Sequence, residues 1–252
     1  MILEFNEKKY AENMLQNGFI KNKILFELRI LAKYFFYLGK NKNDVRQNVV
    51  QFCEHYCPNF NEIKYRKLIN DVCNYAKNNK LIKINSVLIS NEELNKIKSL
   101  NDLKLEKLMF VMLVICKCYN EILNSNNNKV YANLTDLFSL AKLNIRVSAR
   151  QKMIKELIDK EFITMSLNCN YTVKICDKHC TNIGIEINDF NNFVWIYEDY
   201  LGLIKIKDCV VCGDRIKANS SNHRYCAKCK KDKNRETDRL KKRKKRLLDK
   251  GK

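Results

Sequence analysis

The sequence predicts a mainly α-helical protein with short β-hairpins, closing on a small cysteine-held module and a basic helix. Three observations predict it. Apolar residues recur at helical spacing through much of the first two-thirds of the chain. Short β-type runs such as LIKI, VLIS and FITMSL lie beside polar turn residues. Two C-x2-C pairs, Cys209/Cys212 and Cys226/Cys229, precede a run rich in Lys and Arg.

The elements follow in order. EKKYAENMLQN ends at Gly18, a helix stop. In KILFELRILAKYFFYLG, residues Leu25, Leu28, Leu31, Ala32, Phe35 and Leu38 line one face, and Gly39 ends the helix. Asn43 or Asp44 is expected to cap DVRQNVVQFCEHYC, which stops before Pro58. Asn61 opens EIKYRKLINDVCNYAKNN, with Ile63, Leu68, Ile69, Val72 and Tyr75 on one face. LIKI, the turn Asn85-Ser86 and VLIS then predict a hairpin.

A second series is clearer. LKLEKLMFVMLVICKCYNEIL, residues 103–123, is apolar on most sides and predicts a central helix. It is too short in its apolar stretch to span a bilayer. VYA predicts a short strand, Thr135 a cap for DLFSLAKL, and Ser148 a cap for ARQKMIKELIDK. Phe162–Leu167 and Tyr171–Ile175 predict two strands joined at residues 168–170. On the second capped helix Ile154, Leu157 and Ile158 face inward, while Ser148, Ala149, Lys152, Lys155 and Glu156 point away. In a DNA-bound module that outer face would enter the major groove, with Arg146, Arg150 and Lys174 near phosphates. Residues 183–207 are dense in aromatics. Phe190, Phe193, Trp195, Tyr197 and Tyr200 are expected to dock the tail onto the body, with stacking on unpaired bases as the alternative.

The cysteine pairs have zinc-ribbon spacing, with Gly213 placed for the positive φ of a tight turn. Free thiols or disulfides are the alternatives; paired spacing without a recognisable secretory signal favours metal. Cys209, Cys212, Cys226 and Cys229 would hold one structural Zn²⁺ with no open coordination position. His223, three residues before Cys226, could replace a cysteine as ligand, but with four thiolates present it reads as a bystander or a phosphate contact. Cys53, His55 and Cys57 fall at positions that point apart on a helix, Cys116 and Cys118 read as packing, and Cys169, Cys176, His179 and Cys180 read as small buried thiols beside a histidine, with a second metal site as the alternative because Cys176 and Cys180 are one helical turn apart.

Charge separates the two ends. The chain carries 48 Lys+Arg and 28 Asp+Glu; residues 205–252 hold 19 and 6 of these, leaving 29 and 22 for the rest. The last fifth therefore supplies +13 of the net +20. Its run Arg239, Lys241, Lys242, Arg243, Lys244, Lys245 and Arg246 suits contact with a phosphate backbone. No phosphate loop, H-E-x-x-H or glycine-rich dinucleotide turn occurs, so catalysis is not expected.

The segment Thr135–Ile175 resembles the helix-turn-helix and wing of winged-helix DNA-binding domains, and Ile24–Ser90 resembles a second copy. Two such units in one chain resemble the tandem winged-helix replication initiators of plasmids and phages. CVVCG, RYCAKC and the Lys/Arg helix resemble zinc-ribbon tails of Firmicutes phage and mobile-element proteins. The resemblance implies double-stranded DNA as partner, in replication initiation or transcription control, in a bacterial cytoplasm without membrane attachment. RNA is an alternative ligand. The alternative function is an interaction protein that inhibits a host machine through its helical body. The expected layout is a helical domain at 1–100, a winged helix at 101–182, an aromatic connector at 183–207, a zinc ribbon at 208–230 and a basic tail at 231–252.

Overall fold

The computed structural model describes residues 4–166, 170–177, 182–190, 192–213, 215–218, 220 and 222–249, with side chains of the last helix described to Arg243. It is mainly helical, with small antiparallel sheets. The chain divides into two compact units, residues 1–87 with 117–127 and residues 88–116 with 128–252.

The first unit is built from α1 (Glu7–Asn17), α2 (Ile24–Tyr37), α3 (Lys42–Tyr56) and α4 (Glu62–Asn78). Asparagines start three of them. Asn6 accepts from the Lys9 amide, Asn41 from Asn43 and Asp44, and Asn61 from Lys64. The cap of α3 is thus Asn41, two residues before the expected Asn43, because Asn41 has the extended backbone a cap needs. The most apolar helix, α2, packs against α1, α3 and α4. Met14, Leu28, Leu31, Ala32, Val45, Val49, Ile69 and Val72 are buried in the shared core. The inward face of α2 and α4 is narrower than the apolar pattern: Leu25, Leu38, Ile63 and Tyr75 are exposed, Ile63 at 78 %.

The expected LIKI–VLIS hairpin does not form. Ile82 and Ile84 bond instead to the chain entering α1, through Glu7 N–H to Ile82 O (3.0 Å) and Ile84 N–H to Phe5 O (2.9 Å). VLIS becomes β1 (Val87–Ser90) and pairs with a strand from much later in the chain. Directly after it Ser90 and Glu93 form a capping box that starts α5 (Asn91–Lys98), so the chain turns into a helix where a wing was expected.

Next comes α6 (Leu103–Leu123), whose residues 108–116 are all buried. The second unit continues with β2 (Lys129–Val130), α7 (Leu134–Leu140), α8 (Val147–Asp159), β3 (Ile163–Met165) and β4 (Tyr171–Val173). The strands form one sheet in the order β2–β4–β3, antiparallel throughout, with Lys129 opposite Thr172 and Ile163 opposite Val173. Val130, Ile163, Tyr171 and Val173 of the sheet are buried, as are Ile154 and Leu157 of α8, which packs on β3, and Leu137 and Phe138 of α7. The cap of α7 is Asn133, which accepts from the Asp136 amide, and not Thr135. The N-cap of α8 is Arg146, with no side-chain cap; Ser148 falls inside the first turn and cannot cap it. The expected turn at residues 168–170 falls largely outside the described residues.

Then follow β5 (Ile183–Ile187), the partner of β1, α9 (Val194–Tyr200), the hairpin strands β6 (Ile206–Asp208) and β7 (Arg215–Lys217), and α10 (Ala227–Asp249). Among the described residues no helix is long and apolar enough to cross a membrane.

Candidate metal centre and basic surfaces

The hairpin β6–β7 places the first cysteine pair. Ile206, Lys207 and Asp208 stand opposite Lys217, Ile216 and Arg215. Cys209 follows β6, and the chain reverses so that Gly213 N–H donates to Cys209 O at 2.8 Å. Gly213 has φ +72° with open space around its absent side chain, so glycine is needed for conformation and not for room. Val210 N–H to Arg224 O (3.0 Å) brings the second pair alongside.

The four sulfurs of Cys209, Cys212, Cys226 and Cys229 all lie within 4.8 Å of one another. Cys212 and Cys226 are 3.7 Å apart. A tetrahedral ion with Zn–S bonds of about 2.3 Å sets its sulfurs about 3.8 Å apart, so the cluster is compatible with zinc. Backbone amides support thiolates: Cys226 N–H donates to Cys209 Sγ at 3.3 Å and Cys229 N–H to Cys226 Sγ at 3.4 Å. The amides of Cys226 and Cys212 pull the Cys209 thiol down to about 6, while sharing a proton with Cys226 pushes Cys229 up to about 11. Cys209 is buried, Cys226 and Cys229 are half-buried and Cys212 is exposed, so an ion would have one wet edge. His223 stays outside the group, its Nε2 3.1 Å from Tyr225 O.

This is the one group of such ligands among the described residues. Cys53 is buried in the first unit's core, where burial first and the neighbouring Cys57 second push its thiol up to about 12. Cys116 and Cys118 are buried. Of the other set, Cys169, His179 and Cys180 lie outside the described residues and Cys176 is half-buried.

The hairpin is held by residues that motif reading passed over. Glu198 of α9 is buried and binds Lys107 of α6 through Oε1 at 2.6 Å and Lys217 of β7 through Oε2 at 2.5 Å. Burial alone would raise its carboxyl, but the two lysines' hydrogen bonds and charges hold it below the usual carboxylate range. Asp199 accepts from Ile206 N–H at 3.1 Å, and Arg215 lies 3.9 Å from Asp189. Phe193 and Tyr197 are buried, Tyr197 donates to Glu106 at 2.9 Å, and Trp195 is half-buried with Lys217 5.5 Å from its ring. Phe193 and Tyr197 therefore pack, as the amphipathic spacing predicts, while Tyr200 is exposed. No sequence signal marks the Lys107–Glu198 pair, since its members are 91 residues apart.

Helix α10 grows from the cysteine cluster. Cys229 sits in its first turn and Lys230 N–H donates to Cys226 O at 2.9 Å. Lys233 lies over the Tyr225 ring at 4.3 Å. Arg239, Lys241, Lys242 and Arg243 are exposed. Lys244, Lys245 and Arg246 continue the helix, their side chains being outside the described set.

On α8, Ser148, Lys152 and Lys155 are exposed, as are Arg146 and Lys174. Arg150 is different. It is half-buried, its Nε donates to Ile145 O at 3.0 Å, and its guanidinium lies 5.4 Å from the Phe138 ring. It fixes the turn between α7 and α8. Glu156 is paired with Lys160 at 2.9 Å. No protein-family profile, curated protein or solved structure matches the chain. The fold and site define a helical protein with a four-cysteine group able to hold a metal ion.

Proposed function

We propose that this is a nucleic-acid-binding protein in which a structural zinc ion fixes the start of a basic helix against a winged helix-turn-helix body. The carrying observation is that α10 begins at the four-sulfur cluster and runs on with Arg239, Lys241, Lys242 and Arg243 exposed. Rigid attachment matters because a basic helix held at one end loses less entropy on binding than a free tail. The order α6, β2, α7, α8, β3, β4, with β2 beside β4 and not β3, supports the winged-helix reading, with α8 as the groove-facing helix. Ser148, Lys152 and Lys155 would face bases, and Arg146 and Lys174 the backbone. Duplex DNA is the preferred ligand, in replication initiation or transcription control of a phage or mobile element. A second reading, a protein that docks on a host machine, is favoured by the exposed Ile63 and Tyr65 of α4.

The test is duplex binding by the full chain, by a chain lacking residues 231–252, and by a Lys152→Glu/Lys155→Glu variant, each across a salt series. Each phosphate contact contributes about 0.9 to the slope of log affinity against log salt. Reversing Arg239, Lys241, Lys242 and Arg243 should then reduce that slope by about 3 to 4. The α8 variant should lose sequence preference more than bulk affinity. If the tail-less chain and the α8 variant both bind as the full chain does, the reading is wrong.

A further inference from the structure

The first unit holds a cavity of about 600 Å³ that the nucleic-acid reading does not use. We infer that it is a binding site for a small organic anion, a carboxylate on an apolar body of aromatic size, with Arg29 as the anion's partner.

Arg29 projects from α2 into the wall of this cavity. It is half-buried, and its Nε is fully shielded from solvent without a hydrogen-bond partner. The face of Tyr75 lies 4.3 Å from its guanidinium carbon. A guanidinium keeps its charge and has five donors in a planar fork; here the shielded Nε–H has no acceptor and no described residue is hydrogen-bonded to the fork, an arrangement that suits a planar anion at its terminal nitrogens. Neighbouring cations are treated differently. Lys33 is buried but bonded to Glu7 at 2.6 Å. Lys21 is bonded to Glu4 at 3.2 Å. The cavity's two acids, Glu4 and Glu7, are therefore already engaged, and neither is bonded to Arg29.

The rest of the wall fits an apolar body. Phe26, Ile30, Tyr75 and Tyr119 line it, and Lys23 adds a positive charge. The volume falls within the roughly 300–1,000 Å³ usual for small-molecule sites, where a few placed polar groups orient a mostly apolar ligand. A carboxylate paired bidentately with the two terminal nitrogens of Arg29 would supply the guanidinium with an acceptor, while its body lay against the two tyrosines. The inference concerns the first unit alone and does not depend on what the second unit binds.

The test uses the full-length protein and two matched probes, 3-phenylpropanoate and its neutral amide 3-phenylpropanamide, followed by NMR chemical-shift titration. The carboxylate should saturate shifts of Arg29, Tyr75 and Tyr119, with the amide at least tenfold weaker. Arg29→Met should abolish that preference while raising the unfolding midpoint of the probe-free protein, because it removes the shielded Nε–H that lacks an acceptor and keeps an apolar stem. Adding the carboxylate should raise the midpoint of the wild type but not of Arg29→Met. The inference is overturned if the carboxylate gives no saturable shifts, if the amide binds equally well, or if Arg29→Met lowers the midpoint and leaves binding intact.

Discussion

Replacing Glu198 by Leu should destabilise the second unit by about 3–5 kcal/mol, the cost of leaving a buried charge without its partner. The magnitude follows from exposure. The side chains of Glu198 and Lys107 are 8 % and 11 % exposed, so the Lys107 ammonium cannot reach bulk water when its acceptor disappears. Lys217 is 37 % exposed and can turn outward, so its share is discounted to about 0–1 kcal/mol. A cycle separates charge from packing. Lys107→Met/Glu198→Leu replaces both buried charges by apolar groups and should return stability to within about 1 kcal/mol of wild type. Trp195 is the only tryptophan in the chain and lies 5.5 Å from Lys217, so urea unfolding followed by its fluorescence reports on this region. The pH dependence has a definite sign. Glu198 has a lowered carboxyl, so its stabilisation is present above the ordinary carboxylate range and is lost as pH falls through the lowered value. The wild type's advantage over Glu198→Leu should therefore shrink in acid. A loss below about 1 kcal/mol for Glu198→Leu, or a double variant no better than the single, would refute the assignment of this pair as a buried, mutually dependent one.

Other outcomes follow from the same geometry. Cys209→Ser/Cys212→Ser should lose bound zinc by elemental analysis and lose hydrogen-exchange protection at the Gly213 amide and in the first turn of α10, with β6–β7 and the helices of the first unit unchanged; unaltered zinc content would contradict the cluster. In the metal-free protein, thiolate absorbance should appear on raising the pH through about 6, ahead of the ordinary thiol range, because amides of Cys226 and Cys212 donate to Cys209. That favoured thiolate stabilises the hairpin above the ordinary thiol range and ceases to do so as pH falls through about 6. Gly184→Ala should cost about 1–3 kcal/mol by overpacking, since the new methyl would stand 2.5 Å from Asn91 Oδ1 and 2.6 Å from Leu94 Cδ1; an unchanged melting curve would show that α5 and β5 are not packed as described.

Local chemistry made some of this fold legible in the sequence. Helical periodicity finds the helices because each buries one stripe, as Leu28, Leu31 and Ala32 do on α2. Two C-x2-C pairs find the four-sulfur group because a short turn is enough to aim two sulfurs at one point, and the two turns here converge. Caps were legible only to within a residue or two. An Asn such as Asn41 or Asn133 outcompetes the Asp or Thr just after it by having the extended backbone that a cap requires. The S-x-x-E signature at Ser90–Glu93 was present in the sequence and predicts α5, yet VLIS before it carries an equally good strand signal for a hairpin. What decided against the hairpin is the pairing of β1 with β5, together with Asn91 N–H to Asn182 O at 2.8 Å, and a partner so distant has no local signature.

The same distinction bears on how the basic helix is presented. Cysteine spacing alone would describe a metal knuckle on a flexible leash, with α10 free to point anywhere. Glu198, Asp199 and Asp189 remove that freedom by holding Lys217, the Ile206 amide and Arg215 on both strands of the hairpin. Zinc would stabilise the knuckle internally, whereas these acids fix the hairpin to α9 and, through Lys107, to α6. The two constraints act in series. Metal loss should release α10 while leaving β6–β7 docked at its base, and loss of Glu198 should loosen the docked hairpin while leaving the four sulfurs able to close on an ion. Nucleic-acid affinity that survives either change alone would mean that charge on α10 suffices; affinity that falls with both would mean that its direction matters as well.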